Sequence, residues 1–263
     1  MLLALDTSTS VASLALVLPA TAEADARLVA ELTWDVGQRH SVELLERLEW
    51  LLASSHRAMT DLTGIAVALG PGSFNGVRVA LATAKSLAFA RGLPLYGIPT
   101  LDIIAWGHST SGDTVCALLE AGRGQVYAGC YDATKADAAA WSPRDGYTVL
   151  TADDLAAQIQ GSVFCCGEMS PGTRATLAQA LGGRARFAPP TDARRAGWLA
   201  ELALARVDHQ RYDDPIALEP LYLRRPAITT SARRGMTAHE SANTTRQRDD
   251  APEGEGTSDA LRR

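Results

Sequence analysis

The chain has 263 residues, of which 46% are hydrophobic and 21% charged, and its formal net charge is -5. This composition supports a sizeable core and excludes a wholly disordered chain. It also argues against a protein that grips nucleic acid over most of its surface. At about 150 residues per domain, the length allows one domain or two.

Neither a membrane span nor a signal peptide is predicted. No apolar run approaches the roughly 18 residues that a span needs, and Asp6 interrupts the first apolar stretch early. We therefore expect a cytoplasmic protein that makes no membrane contact.

The first hundred residues predict the order β-β-β-α-β-α. The strands are expected at 2–7, 11–18, 27–34 and 64–69, and the helices at 41–54 and 77–90. Gly92 and Pro94 form a stop signal for the second helix. We expect an antiparallel start and a parallel continuation.

A similar pattern begins again after residue 113. Its predicted strands are 114–119, 126–131, 146–150 and 162–166, and its helices 152–160, 172–181 and 193–209. A shift of 114 residues places Asp6 on Glu120, each an acid at the end of a strand before a tight hairpin. This suggests a duplicated architecture, although two short hairpins alone leave a chance match open.

The C-terminal end has a different composition. Residues 231–263 contain no Val, Ile, Phe, Trp, Tyr or Cys. Such a segment cannot bury enough apolar surface to offset its ordering entropy, so we predict a disordered tail over 227–263.

The four cysteines predict neither a metal site nor a disulfide framework. None forms a CxxC pair, and no nearby His completes a zinc-type spacing. We expect four reduced, mostly buried thiols, with the adjacent Cys165 and Cys166 on opposite faces of a strand.

Two acid-bearing hairpins facing each other across a cleft would suit a nucleotide, with turn amides on phosphates and carboxylates on Mg²⁺. The loop 70–76 adds a strand-to-helix turn where amides can meet an anion, although it is neither a P-loop nor a dinucleotide fingerprint. Two structural interpretations stay open, since Asp6 can cap its own turn and the loop can be a sharp turn alone. The phosphate-proximal candidates are Asp6, Thr7, Ser8, Gly70, Gly72, Ser73 and Gly76.

Two helices carry regular apolar faces. Small residues repeat every fourth position from 76 to 88, and leucines line one face of 41–54. These faces can pack on the protein's own sheet or form a dimer surface. The dimer-surface candidates are His40, Leu44, Leu48, Leu51, Gly76, Val77, Ala80, Leu81, Ala84 and Ala88.

No catalytic or metal-binding residue is predicted. The five histidines form no HxxxH or HExxH pair, and Ser73 does not sit in a GxSxG nucleophile elbow.

Several motifs resemble the TsaB (YeaZ) family over about residues 1–226. Two positions depart from the family pattern: Asn75 stands where Thr is usual, and Glu120 where Asp is more frequent. The matching segments are Leu-Asp-Thr-Ser at 5–8, Gly-Pro-Gly-Ser-Phe-Asn-Gly-Val-Arg at 70–78, Ala-Thr-Ala-Lys-Ser-Leu-Ala at 82–88, Gly-Ile-Pro-Thr-Leu at 97–101, Gly-Gln-Val-Tyr at 124–127 and Glu-Pro-Leu-Tyr-Leu-Arg at 219–224.

The resemblance implies an α/β, actin-like ATPase (ASKHA, RNase H-like) fold of two related lobes, with mixed sheets flanked by helices. The lobes would cover 1–99, which carries the dimer surface, and 100–226. It further implies the dimerisation subunit of the bacterial machinery that makes N6-threonylcarbamoyladenosine (t6A) beside the tRNA anticodon. Such subunits are regarded as non-catalytic.

The partners that the resemblance implies are a homologous catalytic subunit, TsaD, and the ATPase TsaE. A homodimer is the further option, and tRNA is expected to be reached only through the complex. The chain itself is expected to require no cofactor, and ATP or ADP, if bound, would lie at a partner interface.

The catalytic relative's metal site offers a test of this role. Its HxxxH pair follows the helix equivalent to 77–90, and here Thr100 and Ile104 stand at the histidine positions. An isoleucine side chain cannot coordinate a metal. Two alternatives remain: an independent ATP-binding, kinase-like enzyme that uses Asp6 and the 70–76 loop, and a glycoprotease-like hydrolase, which is the weakest.

Overall fold

The computed structural model describes residues 1–37, 40–207 and 209–224, without the side chains of residues 40 and 41. The chain divides into two units, Met1–Pro226 and Ala227–Arg263, and all described residues belong to the first. The tail predicted for 227–263 lies outside the described residues.

The first half forms a five-stranded sheet with the strand order β3-β2-β1-β4-β5. Strands β1 to β3 pair antiparallel, while β4 pairs parallel with β1, and β5 with β4. The strands are β1 (Leu2–Asp6), β2 (Val11–Leu18), β3 (Arg27–Asp35), β4 (Gly64–Ala68) and β5 (Leu95–Ile98), and the helices are α1 (His40–Ser54), α2 (Phe74–Arg91) and α3 (Thr100–Trp106).

The second half repeats this design in a sheet of order β10-β9-β6-β7-β8. Here β6 to β8 pair antiparallel, and β9 and β10 continue parallel. The strands are β6 (Thr114–Gly122), β7 (Gln125–Asp132), β8 (Thr148–Thr151), β9 (Val163–Glu168) and β10 (Ala185–Phe187), and the helices are α4 (Ala152–Gln158), α5 (Pro171–Leu181) and α6 (Ala196–Val207).

Both sheets therefore share one topology. Numbered within each half, the strand order is 3-2-1-4-5, with antiparallel pairing among the first three strands. Strands β2 and β7 begin 114 residues apart, at Val11 and Gln125. The suspected duplication is confirmed, and the fold is the actin-like (ASKHA, RNase H-like) arrangement of two related lobes.

Most predicted elements are confirmed to within a few residues. Helix α2 begins earlier than expected, at Phe74, because the Ser73 hydroxyl oxygen caps it by accepting the Gly76 N–H at 3.2 Å. It ends as predicted at Gly92, whose φ of 62° is left-handed. Strands β5 and β10 and helix α3, which have four, three and seven residues, were not predicted from the sequence.

Each sheet is covered on one face by the helices of its own lobe. In β1 the side chains alternate, so that Leu3 and Leu5 face α1 and α2 while Leu2 and Ala4 face the other side. Helices α4 and α5 pack in the same way on the second sheet. Cys165 and Cys166 follow this alternation and lie in opposite cores, as predicted.

The remaining helix of each half covers the sheet of the other half. Leu101, Ile104 and Ala105 of α3 pack on the second sheet, and Leu199 and Ala203 of α6 pack on the first. The two helices meet where Gly107, directly after α3, lies under the Trp198 ring; a Cβ at Gly107 would stand 2.5 Å from that ring. This exchange ties the halves together, and the lobe boundary at residues 99 and 100 stays a prediction.

A buried carboxyl holds α3 on the second sheet. Asp102 Oδ1 accepts hydrogen bonds from the hydroxyls of Tyr131 (2.6 Å) and Tyr147 (2.8 Å). Trp141 donates its indole N–H to the Asp102 carbonyl oxygen at 3.2 Å. Burial raises the pKa of Asp102 from 3.8 to about 6, although both tyrosine hydrogen bonds act to lower it.

This raised pKa predicts how stability changes with pH. The folded state favours the protonated carboxyl, so the contribution of Asp102 to stability is full below its unfolded pKa and is lost as pH rises through about 6. We expect the free energy of unfolding to fall by about 1 kcal/mol from this group between about pH 5 and about pH 7. Denaturant unfolding at both pH values measures the effect.

Asp102→Asn keeps a carbonyl oxygen for both tyrosines and should remove this part of the pH dependence. The matched control is Asp25→Asn, at an exposed carboxylate, which should leave the pH profile as it is in the unmodified chain. Identical pH profiles for the two variants would contradict the assignment.

Candidate functional site

The hairpin after β1 holds the first predicted acid, Asp6, which is fully buried. Its Oδ1 accepts hydrogen bonds from the Ser8 backbone N–H (2.9 Å) and the Ser8 hydroxyl (2.6 Å). The neighbouring Thr7 donates its hydroxyl to the Gly76 carbonyl at 2.7 Å. Asp6 therefore does cap its own turn, one of the interpretations that the sequence left open.

The second carboxylate oxygen of Asp6 is taken by an arginine from the far end of the chain. Arg194, which precedes α6, pairs with Asp6 through Nε and contacts Glu168 through Nη1 at 3.0 Å. Its Nη2 donates to the Thr9 hydroxyl (3.2 Å) and to the Val11 carbonyl (2.9 Å). A single guanidinium thus joins the first hairpin to the end of β9.

Arg194 is nearly inaccessible to water. Burial acts to lower its pKa, but the charges of Asp6 and Glu168 outweigh that effect and raise it. Glu168 also accepts the Thr9 hydroxyl at 2.6 Å. The two buried charges, Arg194 and Asp6, neutralise each other, while the Glu168 side chain is 41% exposed and leaves the cluster with one net negative charge.

The glycine-rich loop lies against the same hairpin. The Ser73 N–H donates to the Ser8 carbonyl at 2.6 Å, and Gly70 accepts the Thr100 N–H at 2.8 Å. A Cβ at Gly72 would stand 2.0 Å from the Ser8 carbonyl oxygen, so this close approach requires glycine. The structure therefore brings together the hairpin and the loop that the sequence singled out.

The acid of the second hairpin, Glu120, is engaged as well. Its Oε1 accepts the Ser170 backbone N–H (2.7 Å) and the Thr173 hydroxyl (2.8 Å) at the start of α5. Partial burial acts to raise its pKa, but these hydrogen bonds outweigh burial and lower it. A carboxylate already occupies the helix N-terminus where an anion would otherwise bind.

A cavity of about 730 Å³ opens between the two hairpins. Of the phosphate-proximal candidates, Gly72 and Ser73 line it, while Asp6, Thr7, Ser8, Gly70 and Gly76 are buried behind its wall. Residues from the second lobe complete the lining, and the polar ones among them are Glu120, Glu168, Ser170, Arg174 and Asp192.

This donor set does not fit a magnesium-bound nucleotide, which the fold family would otherwise imply. A metal site needs carboxylate oxygens directed at the ion or its waters. Both oxygens of Asp6 are bound, to Ser8 and Arg194, and Oε1 of Glu120 is bound to Ser170 and Thr173 at the start of α5. The geometry therefore supports no reaction of a magnesium-bound nucleotide in this cavity.

The two positions compared with the metal-binding pair are also buried. Thr100 and Ile104 lie on α3, and the Thr100 hydroxyl has no hydrogen-bond partner. Among the described residues, no group of three or more His, Cys, Asp or Glu side chains is arranged to hold a metal ion. The part of the chain that the structure describes also contains no helix long and apolar enough to cross a membrane.

The helix faces chosen as dimer candidates are core residues of the first lobe. Nothing is described of the His40 side chain. The other nine candidates, Leu44, Leu48, Leu51, Gly76, Val77, Ala80, Leu81, Ala84 and Ala88, are buried in the single chain. Internal packing, one of the two interpretations left open, therefore accounts for the regular faces, and a dimer surface at these residues stays a prediction.

The same two helices expose large apolar side chains on their outer faces. Val42, Leu45 and Trp50 on α1 are exposed by 72%, 51% and 57%. Phe89 near the end of α2 is exposed by 83%. Exposed apolar side chains on neighbouring helices are typical of a protein–protein contact.

The buried cluster of Asp6, Thr9, Glu168 and Arg194 depends on contacts of Arg194 and Glu168. Neither of these two residues was predicted from the sequence. They lie 188 and 162 positions from Asp6, and no local motif surrounds them. The shared topology of the two halves is the one signal that could have placed the ends of β1 and β9 on facing edges.

Fold and cleft together define an actin-like, duplicated α/β protein whose cleft carboxylates are bound within the chain. A family model described as TsaD, tRNA N6-adenosine threonylcarbamoyltransferase, matches residues 35–145. A TsaB protein of Bacillus subtilis, named for tRNA threonylcarbamoyladenosine biosynthesis, is 33% identical over 130 residues, which is 49% of this chain and 54% of the relative. The chain spans about half the length of this relative and of the Escherichia coli TsaB.

Longer matches extend this result. An uncharacterized protein of Mycobacterium tuberculosis is 31% identical over 191 residues, covering 71% of this chain and 76% of that protein. The solved structure of YeaZ from Pseudomonas aeruginosa has a TM-score of 0.68 at 26% identity, over 84% of this chain and 99% of that one. The chain belongs to the TsaB (YeaZ) family.

The buried cluster makes a prediction about stability. Arg194→Met leaves the Asp6 carboxylate buried without its cation, so we expect a loss of about 3–5 kcal/mol in the free energy of unfolding, measured with urea. The double variant Asp6→Asn/Arg194→Met should lose less than the sum of the single losses, because neither charge is then left alone.

The neighbouring arginine provides the matched control. Arg195 pairs with Glu31, and nearly half of its side chain is exposed. Arg195→Met should cost no more than about 1 kcal/mol. Equal losses for the two arginines would show that Arg194 is not the buried link.

Proposed function

We propose that this chain is a non-catalytic dimerisation or scaffold subunit of the complex that installs t6A in tRNA beside the anticodon. The names of the TsaB relatives in Bacillus subtilis and Escherichia coli support a part in t6A biosynthesis. The match to a TsaD-type family model over 35–145 supports descent from an ancestor shared with the catalytic subunit.

The observation that carries the non-catalytic role is the Arg194–Asp6 pair. The Arg194 guanidinium binds the Asp6 carboxylate, which would otherwise be available to a metal ion or its waters. Glu168, Thr9 and Val11 hold the guanidinium in place. Displacing it would leave a buried charge unpaired, which is costly. Thr100 and Ile104 add support, because they stand where metal-binding histidines would be needed.

The partners in this proposal are a TsaD-like catalytic subunit and a TsaE-like ATPase. Without these partners, the chain would form a homodimer. The chain would require no cofactor, and ATP or ADP would bind at a partner interface. With a net charge of -5, the chain would reach tRNA through the complex. In this role the protein acts in the cytoplasm.

The docking surface in this proposal is the outer face of α1 and α2. Its exposed apolar side chains are Val42, Leu45, Trp50 and Phe89, which lie on the same two helices as the buried candidates. Covering such side chains with a partner contributes about 1.5–3 kcal/mol each when burial is complete.

The alternative of an independent, kinase-like ATP-binding enzyme requires a carboxylate available for the metal. Neither Asp6 nor Glu120 meets this requirement, and the observations therefore favour the scaffold.

A reconstituted t6A reaction tests the role. We expect tRNA to gain t6A, measured by mass spectrometry of its nucleosides, only when this chain accompanies its TsaD-like and TsaE-like partners. Calorimetry of the isolated chain with ATP should give no binding heat. Micromolar ATP binding with turnover by the isolated chain would favour the kinase-like alternative instead.

Surface variants test the docking face. Phe89→Glu and Leu45→Glu should weaken association with the TsaD-like subunit by about tenfold or more, because a charge replaces apolar contact area. Analytical ultracentrifugation measures the change. Ile216→Glu is the control, since Ile216 is 84% exposed but lies outside both helices. If Ile216→Glu weakens association equally, the contact lies elsewhere.

A further inference from the structure

Three of the four cysteines form a row across neighbouring strands of the second sheet. Cys116 in β6 lies directly opposite Cys130 in β7 and is paired in register with Cys165 in β9. All three side chains contact the core beneath α4 and α5. The sulfur atoms of Cys116 and Cys130 are 2.6 Å apart.

The backbone positions of this pair suit a covalent link. Residues directly opposite each other in an antiparallel ladder have Cα atoms about 4.5–5.5 Å apart. A disulfide spans Cα distances of about 4.4–6.8 Å. The register therefore places the two Cα atoms within the range that a disulfide spans.

Cys130 also has access to small molecules from solvent. It is partly exposed, whereas Cys116, Cys165 and Cys166 are buried. It lines a cavity of about 290 Å³ together with Arg144. The Arg144 backbone N–H donates to the Cys130 carbonyl at 2.8 Å, and the Arg144 guanidinium lies 3.6 Å from Asp132 Oδ1.

We propose that Cys130 and Cys116 form a peroxide-reactive dithiol that closes to a reversible disulfide across the β6–β7 hairpin. The proposal names a modification site in the second lobe, apart from the cleft, and does not depend on the proposed function. Its co-reactant is a hydroperoxide small enough to enter the cavity, such as hydrogen peroxide.

The chemistry runs in two balanced steps. The Cys130 thiolate attacks one peroxide oxygen, so that an S–O bond forms, the O–O bond breaks, and the other oxygen leaves as water after taking a proton. Two electrons pass from sulfur to the peroxide. Cys116 sulfur then attacks Cys130 sulfur, forming the S–S bond, and the hydroxyl of the sulfenic acid leaves as a second water with the Cys116 proton.

The electrostatics assign the two roles. The hydrogen bond with Cys116 lowers the pKa of Cys130, burial opposes this, and the Arg144 guanidinium adds to the lowering. The same hydrogen bond and burial raise the pKa of Cys116 well above its ordinary value. Cys130 is thus the group that reacts with the peroxide, and Cys116 resolves the product.

The other two cysteines are unsuited to these roles. Burial raises the pKa of Cys165 to about 12, which keeps it a thiol. Cys166 points into the opposite core, away from the row. The disulfide would therefore form between Cys116 and Cys130, and it would stiffen the hairpin that carries Glu120.

The test treats the reduced full chain with hydrogen peroxide and then blocks the remaining thiols with an alkylating reagent. We expect a loss of two alkylatable thiols and of about 2 Da, a peptide map linking 116 to 130, and full reversal by dithiothreitol. Oxygen addition without a link, links between chains, or a link to Cys165 would each overturn the proposal. This readout needs no variant.

Two variants separate the roles. Cys116→Ala should stop at the sulfenic acid, which dimedone traps on Cys130. Cys165→Ala is the matched control from the same row and should form the disulfide as the unmodified chain does. Circular dichroism of the reduced variants checks their fold. Dimedone labelling of Cys165 rather than Cys130 would contradict the assignment.

Discussion

The two lobes are joined at one buried guanidinium. Arg194 contacts Asp6 at the end of β1, the Thr9–Val11 turn, and Glu168 at the end of β9. Removing several charged groups from water is costly unless each finds its counterpart. The positions of β1 and the start of α6 are therefore coupled, because separating them leaves the Asp6 carboxylate buried without its cation, and Glu168 holds β9 to the same guanidinium. The glycine-rich loop is held to the same hairpin, because the Ser73 N–H donates to the Ser8 carbonyl oxygen.

This link explains why contacts within the chain fill part of the cleft in a fold associated with nucleotide chemistry. Both lobes keep the same strand order, and a cavity lies between them, yet Arg194 and the start of α5 bind the two hairpin acids. Contacts within the chain thus replace contacts with a ligand. The exchange of α3 and α6 between the sheets further resists separation of the lobes, because each lobe depends on the other to cover one apolar face. Helices α1 and α2 keep Val42, Leu45, Trp50 and Phe89 exposed.

Much of the fold could be predicted because hydrophobic period and turn residues act locally. The alternation in β1 and β2, the leucines of α1 and the stop at Gly92 each report a local preference. Strands β5 and β10 were not predicted, because a period over three or four residues is a weak signal, although β8, with four residues, was predicted. The small-residue stripe of α2 allows two interpretations, because packing on a sheet and packing on a partner both require small residues. Only burial in the folded chain separates them, and it places Ala80, Ala84 and Ala88 in the core.

By itself, the sequence determined the order of most strands and helices, the repeat of the acidic hairpin and the glycine-rich loop, because these depend on neighbours in the chain, while the class of fold came from the resemblance to the TsaB family. The tertiary structure alone decided what the acids do. Asp6 meets Arg194 from 188 positions away, and Glu120 meets Ser170 from 50 positions away. It likewise decided that Cys116 faces Cys130 and that Asp102 lies beneath two tyrosines. The physical reason is that the state of a charge or thiol depends on the atoms around it, and those atoms come from strands and helices distant in sequence.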